Sequence, residues 1–399
     1  MRTAVVLFTR DLRIHDNPAL ATACANAERV VPLFVFDPVL GGRSPNRDRF
    51  LHQSVADLRA LLRDRDSDLV VRQGDPVAEA VRLAGEVGAE GIAAAADVST
   101  YARRRERRLS AEGERQGLSV RFFPGLTIVD PGTLKPGGGD HYRVFSPYHR
   151  AWTAAKWREP VAVPKKVPLP SGVTVGRLPA EPVGESPDAA RGGETVARQR
   201  LRGWIGEVEH YDDGHNDLAG DRTSRLSPYL RFGCLSPLEV AHAALGRPGH
   251  DPFVRQLCWR DFYYQVAYAF PEIGRKAYRR GATEGWKDDD GDGFRRWAEG
   301  RTGVPIVDAG MHQLRREGWM HNRARLVTAS YLTKDLGIDW RQGQNEFYRW
   351  LLDGDLPNNS GNWQWVAGTG NDTRPYRRFN PERQRERYDP SGSYVERYA

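Results

Sequence analysis

Cysteine, methionine and lysine are scarce in this chain of 399 residues. Its three cysteines, Cys24, Cys234 and Cys258, stand far apart, which excludes a disulfide scaffold and a cysteine-based metal centre. No metal is expected. Seven lysines stand against 52 arginines. Arginine suits bidentate phosphate contacts, but a GC-rich coding bias gives the same excess and accounts for most of it. Long apolar runs are missing too: none reaches the roughly 20 residues of a membrane span, and mean hydropathy is −0.63. A cytoplasmic protein with no membrane partner is expected, its first residues reading as a strand rather than a secretory leader. No basic tail exists. The net charge of +7 divides into about +4 over residues 1–190 and about +3 over 191–399. A polyanionic partner is therefore permitted, but only on a folded surface. Tryptophan is nearly absent from the first half: two of eleven precede residue 200, so the second half has a different core.

What is present in residues 1–125 is alternation of short β-rich runs with amphipathic stretches. Strands are expected at 3–8, 30–36, 68–72, 91–95 and 119–123, and helices near 18–26, 47–64, 76–88 and 100–116. The pairs Asn17-Pro18 and Asp75-Pro76 suit helix starts. Such alternation predicts an α/β domain, a doubly wound parallel sheet of five strands with helices on both faces. After the first strand comes Thr-Arg-Asp-Leu-Arg (9–13), with no Gly-x-Gly-x-x-Gly to admit a pyrophosphate. The main cofactor is expected elsewhere.

Seven prolines within 160–187 mark a surface connector. Beyond 190, helical spacing dominates at 194–208, 237–245, 253–270, 307–317, 324–334 and 343–352, with a break at 287–293. The expected organisation is an α/β domain over 1–130, a connector over 131–190 and an all-α domain over 191–399.

Four stretches of the helical part carry chemistry. Residues 353–365 hold Asp353, Asp355, Asn358, Asn359, Trp363 and Trp365. Their Gly, Pro and Asn content predicts a loop rather than one regular helix. The polar groups suit a heteroaromatic ring and the indoles suit stacking or electron transfer; a turn with two core tryptophans is the alternative. Three hydroxyls and a guanidinium at 223–227, ahead of a helical stretch at 228–232, make a phosphate cradle or a simple helix cap. Gln256 and Trp259, three apart, share a helix face. His321 lies one place off from Asn322.

Five separated stretches occur in one order: Thr-Ser-Arg-Leu-Ser (223–227), Trp-Arg-Asp-Phe (259–262), Trp-Met-His-Asn-Arg-Ala-Arg (319–325), Asp-Leu-Gly-Ile-Asp-Trp (335–340) and 353–365. Together they resemble the photolyase/cryptochrome family, flavoproteins that use blue light to repair DNA or to signal. The chain is most similar to bacterial class I cyclobutane pyrimidine dimer photolyases. Residues 10–17, 36–40, 144–152 and 388–398 resemble further family motifs, so the likeness covers residues 2 to about 398. Relatives usually continue for some tens of residues more.

The resemblance implies FAD in the helical domain. Thr223, Ser224, Arg225, Leu226 and Ser227 would hold its diphosphate, and Tyr211 and Arg260 would touch it. Arg325 would pair with Asp353, while Asp353 and Asp355 fix the polar edge of the isoalloxazine. Asn359 would face its N5 atom as an acceptor, which favours reduced, anionic FAD and repair. Gln256, Trp259, Asn322, Arg323, Leu326, Trp365 and Arg378 would meet UV-damaged DNA. Trp286, Trp340 and Trp363 would pass electrons from the surface to the flavin, the Trp286 match needing an insertion within 287–293; for Trp297, Trp319 and Trp350 a core role is expected. Two departures stand out at the lesion pocket: Gln256 where dimer photolyases usually have Glu, though relatives that repair six-four photoproducts also carry Gln there, and Leu326 where dimer photolyases commonly have Met. Against the six-four reading, no histidine stands at 322 or 326, where those enzymes use two for acid–base work. The implied activity is light-driven splitting of cyclobutane dimers by a monomer. A six-four photolyase, a cryptochrome-type sensor and a light-independent flavin- or nucleic-acid-binding protein are the alternatives. The segment 97–106 resembles the antenna site for 8-hydroxy-5-deazaflavin more than that for methenyltetrahydrofolate, a basic helix start being the other reading.

Overall fold

The computed structural model describes residues 1–399 except 280–281, 283–284, 288–290 and 372–376. Strands β1 (Thr3–Phe8), β2 (Arg29–Phe36), β3 (Val70–Gln73), β4 (Gly91–Ala95) and β5 (Ser119–Phe123) form one parallel sheet in the order β3-β2-β1-β4-β5. Every residue of β1 and β4 is buried, as a sheet covered on both faces requires. The covering helices are α1 (Pro18–Asn26), α2 (Pro45–Arg63), α3 (Pro76–Glu86) and α4 (Thr100–Arg115). Each starts on a side-chain cap: Asn17, Ser44, Asp75 and Ser99 accept backbone N–H bonds, and proline opens the first three. The five expected strands are all present. β3 starts later than the expected 68 because Asp68 turns to Arg59 and Arg63.

Helix α5 (Phe145–Ala154) precedes the connector and was not expected from the sequence. The connector itself is tied to the sheet: the carbonyls of Pro168 and Val175 accept from Val30 and Val71 at 2.9 and 2.8 Å. It thereby covers part of an otherwise open sheet edge.

The remainder is helical: α6 (Glu194–Trp204) running into the 3-10 turn Ile205–His210, α7 (Tyr211–Gly214), α8 (Ser227–Phe232), α9 (Pro237–Ala244) and α10 (Asp251–Ala269). There follow α11 (Asp292–Glu299), α12 (Pro305–Glu317), α13 (Asn322–Ser330) with a π turn at Tyr331–Asp335, α14 (Trp340–Trp350), α15 (Leu356–Ala367), α16 (Pro381–Tyr388) and α17 (Ser393–Arg397). The expected break at 287–293 lies partly outside the described residues.

α15 corrects the reading of 353–365 as a loop. Asp355 caps it by accepting from Asn358 N at 3.0 Å, and Pro357 sits in the first turn, where its missing N–H is harmless. Gly361 is there for packing: a Cβ would fall 2.1 Å from Tyr263 Cδ1. The residues that read as breakers start the helix and let it approach α10.

The two halves share one core. Phe50 of α2 stacks on Phe232 of α8 at 4.8 Å. The loop after β1, where a dinucleotide fold carries its phosphate-binding glycines, instead plugs into the helical half. Leu12 N donates to Phe232 O at 3.3 Å, Arg13 Nη1 to Gly233 O at 3.0 Å and Ile14 N to Glu194 Oε2 at 2.7 Å.

Candidate active site

A cavity of about 410 Å³ opens between α8, α10, α13 and α15. Its polar wall comes from one turn: Asp353 just before α15, the cap Asp355, and Asn358 and Asn359 in the first turn. Arg325 of α13 grips Asp353 with two bonds, 3.1 and 2.8 Å, a fork geometry that fixes both groups. Asp355 is deeper. Burial alone would raise its pKa, but Arg10 and Arg260, with the Tyr264 hydroxyl, hold it at about 2. Asn359 Nδ2 is engaged with Gln344 O at 3.0 Å, which leaves its carbonyl oxygen as the acceptor for a ligand.

Tyr211, Ser224, Leu226, Ser227, Phe253, Arg260 and Trp363 also line the cavity. Toward solvent stand the exposed Gln256 and Asn322 with the half-buried Trp259, Leu326 and Trp365, and these five are taken as the mouth. Trp259 lies flat on Phe145, ring centroids 3.6 Å apart and planes within 3°. Acceptors along one edge, aromatics on the walls and the Ser224 and Ser227 hydroxyls at the start of α8 suit a flat heteroaromatic ring carrying an anionic tail. The Trp363 indole nitrogen is buried there with no protein partner. The residues present therefore fit FAD.

Several expected site residues lie outside this lining. Arg225 has a left-handed backbone, φ +50°. It stacks on Trp319 at 4.1 Å and pairs with Asp221 and with Glu317, so its charge is spent within the protein. Thr223 bonds weakly to Asp221 at 3.4 Å. Arg323 lies against Tyr388 at 4.2 Å and donates to Asn216 at 3.1 Å. Arg378 is exposed and paired with Asp335. His321 caps α13 through Nδ1 and is buried, and its pKa is pushed down to about 3 by burial and then by Arg225, Arg323 and Arg325. It is neutral at any working pH and is not among the lining residues.

Trp340 is fully buried and Trp286 half-buried, both packed in the core that contains Trp363. A Cβ on Gly343 would fall 2.2 Å from Trp363 Cη2. Since Gly343 and Trp340 are three apart on α14, Trp363 lies against the face that carries Trp340. Lys287 N donates to Gly337 O at 2.9 Å, which brings the segment of Trp286 to the chain just before Trp340.

A second, larger cavity of about 1450 Å³ lies at the carboxyl ends of β1 and β2 and before α4. Phe8, Arg10, Asp37, Asp97, Tyr101 and Arg105 line it, and it shares Arg231, Asp355 and Asn359 with the first. Three of its lining residues carry a buried polar atom without a partner: Thr9 Oγ1, Gln344 Oε1 and Ser360 Oγ.

Residues 4–168 match the DNA photolyase family model, and residues 253–399 match the FAD binding domain of DNA photolyase. A deoxyribodipyrimidine photo-lyase of Streptomyces griseus is 47% identical, over 99% of this chain and 89% of its own length. The chain belongs to the photolyase/cryptochrome family. A cryptochrome DASH of Natronomonas pharaonis is 38% identical over the same shares. The class III photolyase of Agrobacterium tumefaciens superposes with a TM-score of 0.94 at 34% identity, covering 100% of this chain and 86% of that one. The relatives thus span several branches, and class I is not singled out among them.

Within the family's FAD-binding domain, the cavity wall is built from residues inside the matched range except Tyr211, Ser224, Leu226, Ser227, Leu230 and Arg231. Sequence reasoning missed Arg10, Arg231, Tyr264 and Phe145. Their only signal was position: Arg10 and Phe145 sit in motifs that resemble the family's, with no local feature showing where their side chains go. Among the described residues no helix is long and apolar enough to cross a membrane, and no cluster of ligands could hold a metal.

Proposed function

We propose that this chain is a light-driven DNA-repair lyase that splits cyclobutane pyrimidine dimers. The observation that carries the reading is one cavity with two unlike ends. Asp353, Asp355, Asn359 and Trp363 line it from buried or half-buried positions, while Gln256 and Asn322 are exposed beside the half-buried Trp259, Leu326 and Trp365. FAD, if bound and reduced, would supply the photoexcited electron that opens the cyclobutane ring and would take it back afterwards. The protein's part is placement. Asp355 and the Arg325-held Asp353 would orient the polar ring edge, and the Asn359 carbonyl would be the acceptor for N5. Ser224 and Ser227 would hold the diphosphate, and Tyr211 and Arg260 would touch the cofactor. Thr223 and Arg225 act at one remove, shaping the loop. Trp259, braced by Phe145, stacks on a flipped-out pyrimidine, and the Gln256 amide meets its edge by donating and accepting. Trp365, Asn322 and Leu326 complete that pocket; Arg323 and Arg378 lie outside it as backbone contacts.

The dimer reading is preferred to a six-four photolyase because acid–base work needs a titrating group at the lesion. Asn322 and Leu326 stand at the mouth, and His321 is buried, neutral and spent as a helix cap. A cryptochrome-type sensor would share the flavin wall but not the need for a lesion pocket. Residues 1–130 serve as the antenna domain, 131–190 as connector and 191–399 as the flavin and DNA domain. The polar, arginine-rich second cavity, with its three unpartnered polar atoms, suits 8-hydroxy-5-deazaflavin, whose ring hydroxyl is acidic, better than methenyltetrahydrofolate. The archaeal photolyase of Sulfolobus tokodaii, described with two FAD molecules and the implication of a novel light-harvesting cofactor, is 30% identical, so FAD is the competitor to test there. The protein works as a cytoplasmic monomer on UV-damaged DNA.

The deciding experiment is illumination of reduced protein with oligonucleotides bearing either lesion, read by recovery of intact thymines. Recovery from the dimer alone is expected. Recovery from the six-four lesion alone, or from neither, overturns the proposal.

A further inference from the structure

We propose that Arg10, from the α/β half, is a positioning residue of the flavin site: it holds Asp355 in place, and in its carboxylate form, at the ring edge. This rests on the reading that Asp355 meets FAD. Arg10 leaves the loop after β1 and reaches four elements at once. Nη2 donates to Asp355 Oδ2 at 2.8 Å and to the Tyr264 hydroxyl at 2.7 Å. Nη1 pairs with Asp97, beyond β4, at 3.1 Å, and Nε donates to Arg231 O at 3.2 Å. A planar fork with five donors can make this set; an amine cannot.

Asp355 is 5% exposed and lines both cavities. The groups facing it are Arg10 from the β1 loop, Arg260 and Tyr264 from α10, and Asn358 of its own helix, with Asp97 and Arg231 behind Arg10. Arg260 is partly diverted: it donates to Leu126 O and stacks on Tyr264 at 4.4 Å. Arg10 is thus the cation with the direct bond to this buried acid. Without it, burial would favour the protonated form, and a protonated acid is a poorer acceptor for a ring N–H. Because Arg10 belongs to the sheet half and Asp355 to the helical half, seating the sheet on the helices becomes a condition for tight flavin binding.

The test is FAD affinity, measured by the fluorescence of released cofactor between pH 8 and 5, for wild type, R10Q, R10K, D355N and R10Q/D355N. The wild-type constant should stay flat to pH 5. R10Q should weaken binding about tenfold or more at pH 7.5, the order of one charge-assisted hydrogen bond, and further as pH falls. R10K, keeping the charge, should restore the flat profile at intermediate affinity. In the D355N background R10Q should add no more than about a twofold loss, since the two residues act as one unit. Equal loss in both backgrounds, or a wild-type profile in R10Q, overturns the proposal while leaving the flavin placement intact. Wild-type affinity in D355N removes the placement, and the proposal with it. Should R10Q fail to fold, R10K with and without D355N carries the same comparison at smaller amplitude.

Discussion

Buried indole nitrogens usually find an acceptor, as those of Trp152, Trp204, Trp297, Trp319 and Trp350 do here. Trp286, Trp340 and Trp363 are buried at that atom and have none. This separates the proposed relay from the core tryptophans, a distinction that spacing alone did not carry. Trp363→Phe should keep fold and FAD but abolish photoreduction of the oxidised flavin, followed by loss of its absorbance under blue light, while chemically reduced protein still repairs. Trp286→Phe should slow photoreduction less, because the inner steps remain; a wild-type rate in Trp363→Phe returns these residues to the core. His321 gives a second prediction. Its imidazole binds a proton near 6.5 when unfolded but only near 3 when folded. Between those values the unfolded chain holds more protons, so stability falls as pH falls, by about 2 kcal/mol from pH 8 to pH 5. His321→Asn keeps a side chain able to cap α13 and should remove most of that slope in denaturant unfolding measured at the two pH values. The Arg325–Asp353 pair was legible because both residues lie in motifs. Arg10 and Asp355, 345 positions apart, share nothing local that a sequence displays.

At the scale of elements, the β-strands and two of the four helix caps, Asn17 and Asp75, were readable because burial on both faces and Asn-Pro or Asp-Pro pairs leave local signatures. α15 was not, since its Pro357 and Gly361 are breakers by composition and are reinterpreted only by what surrounds them. α5 was missed for a related reason: no side-chain cap marks its start, and its buried Phe145, Tyr148 and Trp152 pack against α10 far along the chain. The α14–α15 contact carries a testable consequence. Gly343→Ala would force a Cβ to 2.2 Å from the Trp363 ring. Overpacking of this kind costs about 1–3 kcal/mol, and the displaced indole should also slow photoreduction. Denaturant unfolding and illumination of the same sample check both, and a variant as stable and as fast as wild type would show that the ring has room to move. Arg225→Ala acts on another element. It removes a side chain held by Asp221, Glu317 and Trp319, so FAD retention on gel filtration should fall through loosening of the 223–227 loop, not through a lost phosphate contact.

For the whole molecule the question is how a net charge of +7 meets DNA when many of its arginines are already paired. Arg225, Arg325 and Arg378 are each held by a carboxylate, and Arg323 is tied to Asn216 and Tyr388. Affinity for duplex should therefore come from a few phosphate contacts, and discrimination from the pocket. These two contributions respond differently to salt. Phosphate neutralisation releases counterions, so log affinity falls linearly with log salt concentration by about 0.9 per contact. Stacking does not. Arg323→Ala should lower the slope by about one contact and weaken damaged and undamaged DNA alike. Trp259→Ala should leave the slope unchanged and remove on the order of 1–3 kcal/mol from dimer-containing DNA alone, read by fluorescence anisotropy across a salt series. Gln256→Glu belongs to the same comparison. It adds a negative charge at the mouth, so binding should weaken slightly at low salt, while repair per bound dimer holds or rises. If Trp259→Ala changes the slope as Arg323→Ala does, the mouth of the cavity is meeting backbone rather than bases, and Trp259 is not the platform on which the lesion stacks.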